Sequence, residues 1–376
     1  MRTACPAFGV FWFWGGTVGV KRPIRLGVLY SQSGDYAVLS RASRAGVMAA
    51  IAAVNADPAL DLTFLPVPRD PKGNTDAYGP MCNDILAGGA RHVIGCVTSW
   101  SRKEVIPVLE RHGGTLWYPL PYEGFEASDH VVYSHACPNQ HLLPLLDWAL
   151  PAHGPRGFLT GSNYIWGWEM NRLARERISA AGGAVLGERY LSLGSCEVGR
   201  IVEEIRHARP DFILNNLVGT SSYEFLAAMR ALGADDAGFA PERCPILSCN
   251  LTEAELPAIG AAAEGLVSAG PYFRPVEGGE FASSIEAAAF AAVRELARLL
   301  NRRPGAEAEG LAALLGGAAG QGTVDRATHH MALPVQIARI EGGAFRCLKA
   351  LPAVAGDPYL TRPRALPPAP RLRVVS

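Results

Sequence analysis

Hydroxyl, amide and aromatic side chains follow several apolar segments of this chain, at the points where each segment ends. Groups of this kind bind small neutral molecules through hydrogen bonds placed between apolar walls. They include no pair of acids and no acid beside a histidine, as general acid–base catalysis would use. The pattern therefore predicts a binding cleft rather than a catalytic centre. The segments concerned are 31–34, 98–101, 119–122, 162–166, 219–221 and 250–252.

Sequence patterns of common enzymes and metal sites are absent. The chain contains no GxSxG, GxxxxGKT or HExxH motif and no CxxC pair among its 8 cysteines. Ser99 has Ser101, Arg102 and Lys103 near it in sequence, but no histidine or acid to activate it as a nucleophile. His329 and His330 are predicted to lie on the surface. We therefore expect no enzyme activity, no metal and no cofactor.

Strands and helices alternate along the chain in two consecutive series. Helix-spaced apolar residues separate the strands, as over 38–56 and 101–112. Such alternation indicates parallel sheets with crossover helices, and 376 residues suit two domains. In such sheets, ligands bind beyond the carboxyl ends of the strands, where the polar segments lie. The predicted strands are 24–30, 62–67, 92–97, 114–119 and 131–136 in the first series, 156–161, 184–191, 211–218 and 244–249 in the second, and two around the turn 341–343.

Composition excludes several classes of protein. The 35 Lys and Arg balance the 35 Asp and Glu, and the pI is about 7.1, so a nucleic-acid binder is not expected. Hydrophobic residues make up 49% of the chain, which excludes a largely disordered protein.

The N-terminus contains an apolar run over 8–20, preceded by Arg2. Its length suits the core of a signal peptide and is too short for an ordinary transmembrane helix, but no A-x-A cleavage site follows. We predict a disordered extension over 1–22 and a cytoplasmic protein, with a signal peptide and a periplasmic location as the alternative. The Pro-rich stretch 361–376 is predicted to be a loose tail.

Several longer motifs identify a resemblance that extends from about Ile24 to Tyr359. The chain resembles type I periplasmic-binding-fold proteins of the amide and urea group, and most of all the amide-sensing negative regulators of aliphatic amidase operons. Among these motifs the run YPxPYEGFE is long and specific. The motifs include GVLYSQSGD (27–35), DPKGNTDAY (70–78), WYPLPYEGFE (117–126), GSNYIWGWEMNR (161–172) and DPYL (357–360).

The resemblance implies an α/β fold of two doubly wound parallel-sheet lobes, joined by a hinge of three crossings. Lobe one would comprise 23–140 and 271–324, and lobe two 141–270 and 325–360. A ligand would be enclosed between them. The family's pocket carries over onto Ser99, Tyr118, Pro119, Pro121, Tyr122, Tyr164, Gly219 and Thr220.

Four positions depart from the family's pattern. Val97 stands where amide sensors tend to carry an aromatic residue, Leu120 replaces a hydroxyl residue, and Trp166 replaces a tyrosine. Asn250 is neutral where amino-acid binders of this fold place an acid. Trp100 and Trp166 are expected to narrow the pocket. These changes disfavour an α-amino acid and favour a small neutral amide or urea-like ligand.

The function expected from this resemblance is a ligand-responsive negative regulator of amidase expression, acting through an RNA-binding antiterminator without contacting nucleic acid itself. The alternative is the substrate-binding protein of an ABC importer for amides or urea, with a permease as its partner. Whether the chain forms a homo-oligomer stays open.

Overall fold

The computed structural model describes residues 21–126, 128–316 and 323–362. Residues 1–20 of the predicted extension and 363–376 of the predicted tail lie outside the described residues. The described chain forms twelve strands and ten α-helices, in the order β1 (Arg22–Leu29), α1 (Ala37–Ala56), β2 (Leu62–Arg69), α2 (Tyr78–Ala87), β3 (His92–Gly95), α3 (Ser99–His112), β4 (Thr115–Tyr118), β5 (Val131–Tyr133), α4 (Leu142–His153), β6 (Arg156–Ser162), α5 (Ile165–Ala180), β7 (Ala184–Leu191), α6 (Gly199–Ala208), β8 (Phe212–Asn216), α7 (Thr220–Asp235), β9 (Ile246–Ser248), α8 (Leu256–Ile259), β10 (Val267–Gly270), α9 (Ser284–Arg302), α10 (Leu311–Gly316), β11 (Leu333–Glu341) and β12 (Ala344–Val354).

Two sheets organise these elements. The first has five parallel strands in the order β2-β1-β3-β4-β5. The second has seven strands in the order β12-β11-β10-β9-β8-β6-β7, of which β6 to β10 are parallel and the β11–β12 hairpin is antiparallel. The predicted α/β class with parallel sheets is confirmed.

Each sheet has its own apolar core. The core of the first sheet includes residues of α9 and α10, so both helices pack with β1 to β5 although they come after the second series in sequence. The chain consequently passes between the sheets three times: after β5, after β10 and after α10. We refer to the two units as the first and second lobes; their predicted residue boundaries stay a prediction.

Several differences from the predicted elements concern short or flanking segments. β1 begins at Arg22, before the predicted start at Ile24, so residues 21–22 of the predicted disordered extension belong to the ordered fold. Lys21 precedes it and donates hydrogen bonds from Nζ to the carbonyl oxygens of Asn55 (2.8 Å) and Asp57 (2.7 Å), where α1 leaves carbonyl groups unpaired. The sequence also missed β10, α8 and α10, because Ala- and Gly-rich stretches show little periodicity.

Helix α1 is the described helix that is long and apolar enough to cross a membrane, judged by length and composition alone. In the fold its buried side packs against α9 and β2. It therefore fits the core helix of a lobe.

Candidate functional site

A small cavity lies between the lobes, beyond the carboxyl ends of the central strands of both sheets. Its first-lobe lining comes from the loops after β1, β3 and β4 and from α9, and its second-lobe lining from the segments after β6, β8 and β9. None of these lining side chains is charged. The lining residues are Tyr36, Leu39, Val97, Thr98, Ser99, Tyr118, Leu120, Pro121 and Ile285 from the first lobe, and Tyr164, Trp166, Val218 and Asn250 from the second.

Seven of the twelve predicted site residues line this cavity, and five do not. Trp100 points away, with 48% of its surface exposed, and Tyr122 is buried in a neighbouring cluster. Pro119, Gly219 and Thr220 adjoin lining residues in sequence without lining the cavity themselves. The seven that line it are Ser99, Tyr118, Leu120, Pro121, Tyr164, Trp166 and Asn250.

Six lining residues are outside the predicted set: Tyr36, Leu39, Val97, Thr98, Val218 and Ile285. Tyr36 and Leu39 lie at the start of α1, shortly after the polar segment 31–34, so that segment was the available signal. Ile285 lies on α9, far along the chain, and reaches the cavity only because α9 packs with the first lobe.

The cavity is small. It offers about 40 Å³ to the centres of water molecules. A cavity of this size has room for a molecule of a few heavy atoms. The indole of Trp166 and the side chain of Leu120 are both buried and take up space where smaller groups would enlarge the site.

Helix α3 positions Ser99 at its first turn. Thr98 caps the helix: its Oγ1 accepts a hydrogen bond from the Ser101 N–H (3.1 Å), while the Thr98 N–H donates to Ser101 Oγ (3.1 Å). This reciprocal cap holds Ser99 at the end of β3, where its side chain enters the cavity wall. Helix α5 begins on the opposite wall, at Tyr164 and Trp166, without a side-chain cap, so its first N–H groups remain available to a ligand.

A buried ionic cluster lies directly behind Ser99. The Ser99 hydroxyl donates to Glu123 Oε2 (2.7 Å), and Arg102 donates from Nη2 to Glu123 Oε1 (2.6 Å) and from Nε to Glu126 Oε1 (2.8 Å). Arg102 is 0% exposed and Glu123 1%. The sequence interpretation that no acid stands near Ser99 was therefore wrong. The fold brings Glu123 to it across 24 residues, within the motif YPxPYEGFE.

The cluster holds Glu126 ionised. Burial alone would raise the pKa of this carboxyl, but the Arg102 guanidinium and hydrogen bonds from Arg102, Lys103 and Tyr133 lower the pKa to about 2. Arg102 also lies over the rings of Tyr118 and Tyr122, each centroid being 4.8 Å from its guanidinium carbon. The cluster thus connects the cavity wall at Ser99 to the rings of Tyr118 and Tyr122.

Stacked rings continue from this cluster to the third crossing between the lobes. Tyr122 stacks on Tyr133 (4.2 Å between centroids), and Tyr133 stacks on His330 (4.3 Å). His330 is 1% exposed, so the prediction that His329 and His330 lie on the surface was wrong. The reason is that the crossing segment which carries them pairs with β5, through the bridge between Tyr133 and His330.

The lobes touch at Gly219, which precedes α7. Its φ of 58° and ψ of −141° suit glycine, and an added Cβ would lie 3.3 Å from the Asp35 carbonyl oxygen of the first lobe. Gly260 has nearly the same backbone angles, 59° and −139°, but an added Cβ there would meet nothing within 4 Å. The two glycines therefore differ mainly in the contact between lobes.

We expect Gly219→Ala and Gly260→Ala each to lower the free energy of unfolding by about 1–3 kcal/mol, because alanine is strained at these angles. Only Gly219→Ala should also weaken ligand binding, since its methyl group crowds the closed arrangement of the lobes. Urea denaturation and calorimetric titration measure the two effects. Equal ligand affinity in the two variants would show that the contact at Asp35 does not limit closure.

Comparison with known proteins places the fold. The sequence profile of the family described as "Periplasmic binding protein domain" matches residues 24–304. A solute-binding protein of an ABC transporter from Rhodopseudomonas palustris HaA2, solved with p-hydroxybenzoic acid, has 19% identity and a TM-score of 0.77 over 90% of this chain and 98% of that one. An ABC transporter substrate-binding protein from Sphaerobacter thermophilus has 19% identity and a TM-score of 0.74, covering 88% and 98%.

A third solved structure extends the range of bound ligands. The branched-chain amino acid transporter substrate-binding protein of Streptococcus pneumoniae, in complex with isoleucine, has 15% identity and a TM-score of 0.73 over 89% of this chain and 100% of that one. At these identities the likeness concerns the fold, and it confirms the expected type I arrangement of two sheets.

Proposed function

The chain belongs to the periplasmic binding protein domain family, and we propose that it binds a small neutral amide or urea-like molecule in the cavity between its lobes. The observation that carries this proposal is the cavity wall itself. Both lobes contribute hydroxyl, amide and aromatic groups, and no lining side chain is charged. A charged ligand would lose its hydration without gaining an ionic partner there, which costs several kcal/mol.

The size of the cavity supports a short ligand. A cavity of this size suits acetamide, propionamide or urea better than a larger ligand. Ligand contacts to both lobes would stabilise the closed state over open ones, which is how a ligand changes the affinity for a partner protein.

For the biological role, we propose the substrate-binding component of an ABC importer. The proteins of like fold named above are ABC transporter components, which supports this role over the regulator expected from the sequence. In this role the protein works in the periplasm with a permease as its partner, and the apolar run 8–20 serves as an export signal.

A regulator of amidase expression is the second candidate, and one observation favours it. The run 117–126, which most specifically resembles the amide-sensing regulators, supplies Tyr118, Leu120 and Pro121 to the cavity and Glu123 and Glu126 to the cluster behind it. Fractionation of cells expressing the full chain separates the two roles. Recovery in the periplasm supports the importer, and a cytoplasmic protein that captures an RNA-binding partner supports the regulator.

We expect short primary amides or urea to raise the melting temperature most among compounds at equal concentration, because ligand that binds only the folded state stabilises it by mass action, by about 2.7 kcal/mol at a concentration of 100 Kd. Leucine, glutamate, acetate and 4-hydroxybenzoate should raise it much less. The largest shift with a charged compound would contradict the proposed ligand class.

Two tryptophans provide a matched pair of variants for this test. Trp166→Ala removes a buried cavity wall and should extend binding to longer amides such as valeramide. Trp100→Ala removes an exposed indole outside the cavity and should leave the order of ligands unchanged. If both variants gave the same order as the unaltered protein, the cavity would not be the ligand site.

A further inference from the structure

We propose that Glu123 sets the polarity of the cavity wall at Ser99, so that this part of the first lobe accepts an N–H donor from the ligand and discriminates against carboxylates. This inference rests on the proposed binding of a small ligand between the lobes. It assigns a specificity-determining role to a residue that does not itself line the cavity, and it predicts which end of the ligand faces which lobe.

Two hydroxyls on the first-lobe wall, those of Ser99 and Tyr118, adjoin the ionic cluster, and each carries a single proton. Ser99 donates its hydroxyl proton to Glu123 Oε2 (2.7 Å), and Tyr118 donates its own to the Val97 carbonyl oxygen (3.2 Å). A hydroxyl has one proton and two lone pairs. Both oxygens are therefore left with only acceptor capacity for a ligand.

Arg102 fixes the direction of the hydrogen bond between Ser99 and Glu123. Its Nη2 donates to Glu123 Oε1 (2.6 Å), so one carboxylate oxygen faces the guanidinium and the other faces Ser99. Glu123 is buried, and an ionised carboxylate can only accept hydrogen bonds. Ser99 cannot turn its proton toward the cavity without leaving a buried carboxylate oxygen short of a donor.

The second lobe presents donors on the opposite wall. The Trp166 indole N–H is buried and has no hydrogen-bond partner among the described residues. The Asn250 side-chain oxygen accepts from Ser248 Oγ (3.1 Å), which leaves the Asn250 amide N–H groups for a ligand. The uncapped first turn of α5 adds backbone N–H groups on the same side.

A primary amide matches this division of donors and acceptors. Its NH₂ group would face Ser99 and Tyr118, and its carbonyl oxygen would face the donors of the second lobe. A carboxylate of the same size offers only acceptors, so one of its oxygens would oppose the acceptor side of Ser99 and the charge of Glu123. Such unpaired and like-charged contacts are how a binding site rejects a close analogue.

The test uses Glu123→Gln and two ligands of equal size, propionamide and propionate, titrated by calorimetry at pH 7. In the variant, Arg102 requires the amide oxygen of Gln, so the amide NH₂ faces Ser99 and the Ser99 proton turns into the cavity. We expect the ratio of propionamide to propionate affinity to fall at least 10-fold. An unchanged ratio, with propionamide still binding, would overturn the role of Glu123.

Glu126→Gln is the matched control. It removes one negative charge from the same guanidinium, since Glu126 Oε1 accepts from Arg102 Nε (2.8 Å), but Glu126 does not contact Ser99. The ratio should change far less than in Glu123→Gln. An equal change in both variants would mean that the net charge of the cluster, and not the Ser99 proton, sets the preference.

Ser99→Ala completes a double-mutant cycle. If Glu123 acts through Ser99, Glu123→Gln should have little further effect on the ratio when Ser99 is already alanine. A full effect in the absence of the Ser99 hydroxyl would overturn the proposed route.

The unaltered protein provides a measurement that does not depend on the folding of any variant. Propionamide and N,N-dimethylformamide are isomers, and only propionamide carries N–H groups. We expect propionamide to bind at least 10-fold more tightly, and equal affinities would overturn the inference. If neither propionamide nor any other compound of the thermal panel bound, the proposed function would fail, and this inference with it.

Discussion

Replacing Arg102 by methionine should lower the free energy of unfolding by about 3–5 kcal/mol, because it removes one partner of a buried ionic network. The carboxylates of Glu123 and Glu126 would keep the cost of burial and lose the guanidinium that pairs with both. Methionine retains much of the side-chain volume, so the effect would come mainly from the lost charge. The rings of Tyr118 and Tyr122 would also lose the cation that lies over them.

Urea denaturation at pH 7 measures this effect, and Arg175→Met is the matched control. Arg175 pairs with Glu188 at 2.6 Å, but its side chain is 45% exposed. Ion pairs of this kind contribute about 0–1 kcal/mol. If the two variants lost similar amounts of stability, or if Arg102→Met lost less than about 1 kcal/mol, the ionic network would not stabilise the first lobe.

Acidification from pH 6.5 to pH 5 should lower the free energy of unfolding by about 3 kcal/mol. Three buried histidines are the cause. Burial lowers the pKa of His135 to about 3 and the pKa values of His141 and His330 to about 4. In the unfolded chain these groups titrate near 6.5, so below that pH the unfolded state binds more protons and stability falls.

One carboxyl opposes this trend. Burial raises the pKa of Glu255 to about 7, so the folded state holds this proton more tightly between pH 7 and about 4.5, and acidification stabilises it. Each group changes stability by about 1.4 kcal/mol per pH unit. Because a histidine of the unfolded chain is only half protonated at pH 6.5, three histidines against one glutamate leave a net loss of about 3 kcal/mol between pH 6.5 and 5. Glu126, with a pKa of about 2, loses its contribution only at lower pH, below about 4.5.

Urea denaturation at pH 7.5, 6.5 and 5 measures the acid effect. His330→Phe keeps an aromatic ring stacked on Tyr133 but removes one titrating histidine. The free energy of unfolding should therefore fall less steeply between pH 6.5 and 5, by up to about 1.4 kcal/mol per pH unit. Stability that stays constant or rises on acidification would contradict the assignment of neutral buried histidines.

The alternation of elements and the position of the site could be predicted from the sequence. Strands such as β1 and β3 are short apolar runs, and helices such as α1 show helical spacing, so local periodicity identifies both. Parallel strands bring their carboxyl ends to one edge, which is why Ser99, Tyr164 and Asn250 were predicted together although they lie far apart in the chain.

Other features depend on contacts that no local pattern contains. Which tryptophan enters the cavity is decided by the angular position of each residue at the start of its helix: Trp166 of α5 is turned inward, and Trp100 of α3 is turned out. Shifting a helix start by one residue rotates every side chain by about 100°, which is beyond the accuracy of a boundary judged from sequence.

The sequence by itself determined a two-sheet α/β protein of the periplasmic binding class with a neutral, aromatic cleft, because these properties follow from residue type, periodicity and motif. Only the tertiary structure decided that Glu123 lies 2.7 Å from Ser99 and that His330 is buried against Tyr133. Both contacts depend on how loops cross between packed elements. Long-range packing determines those paths, and with them the protonation, polarity and burial of the groups around the cavity.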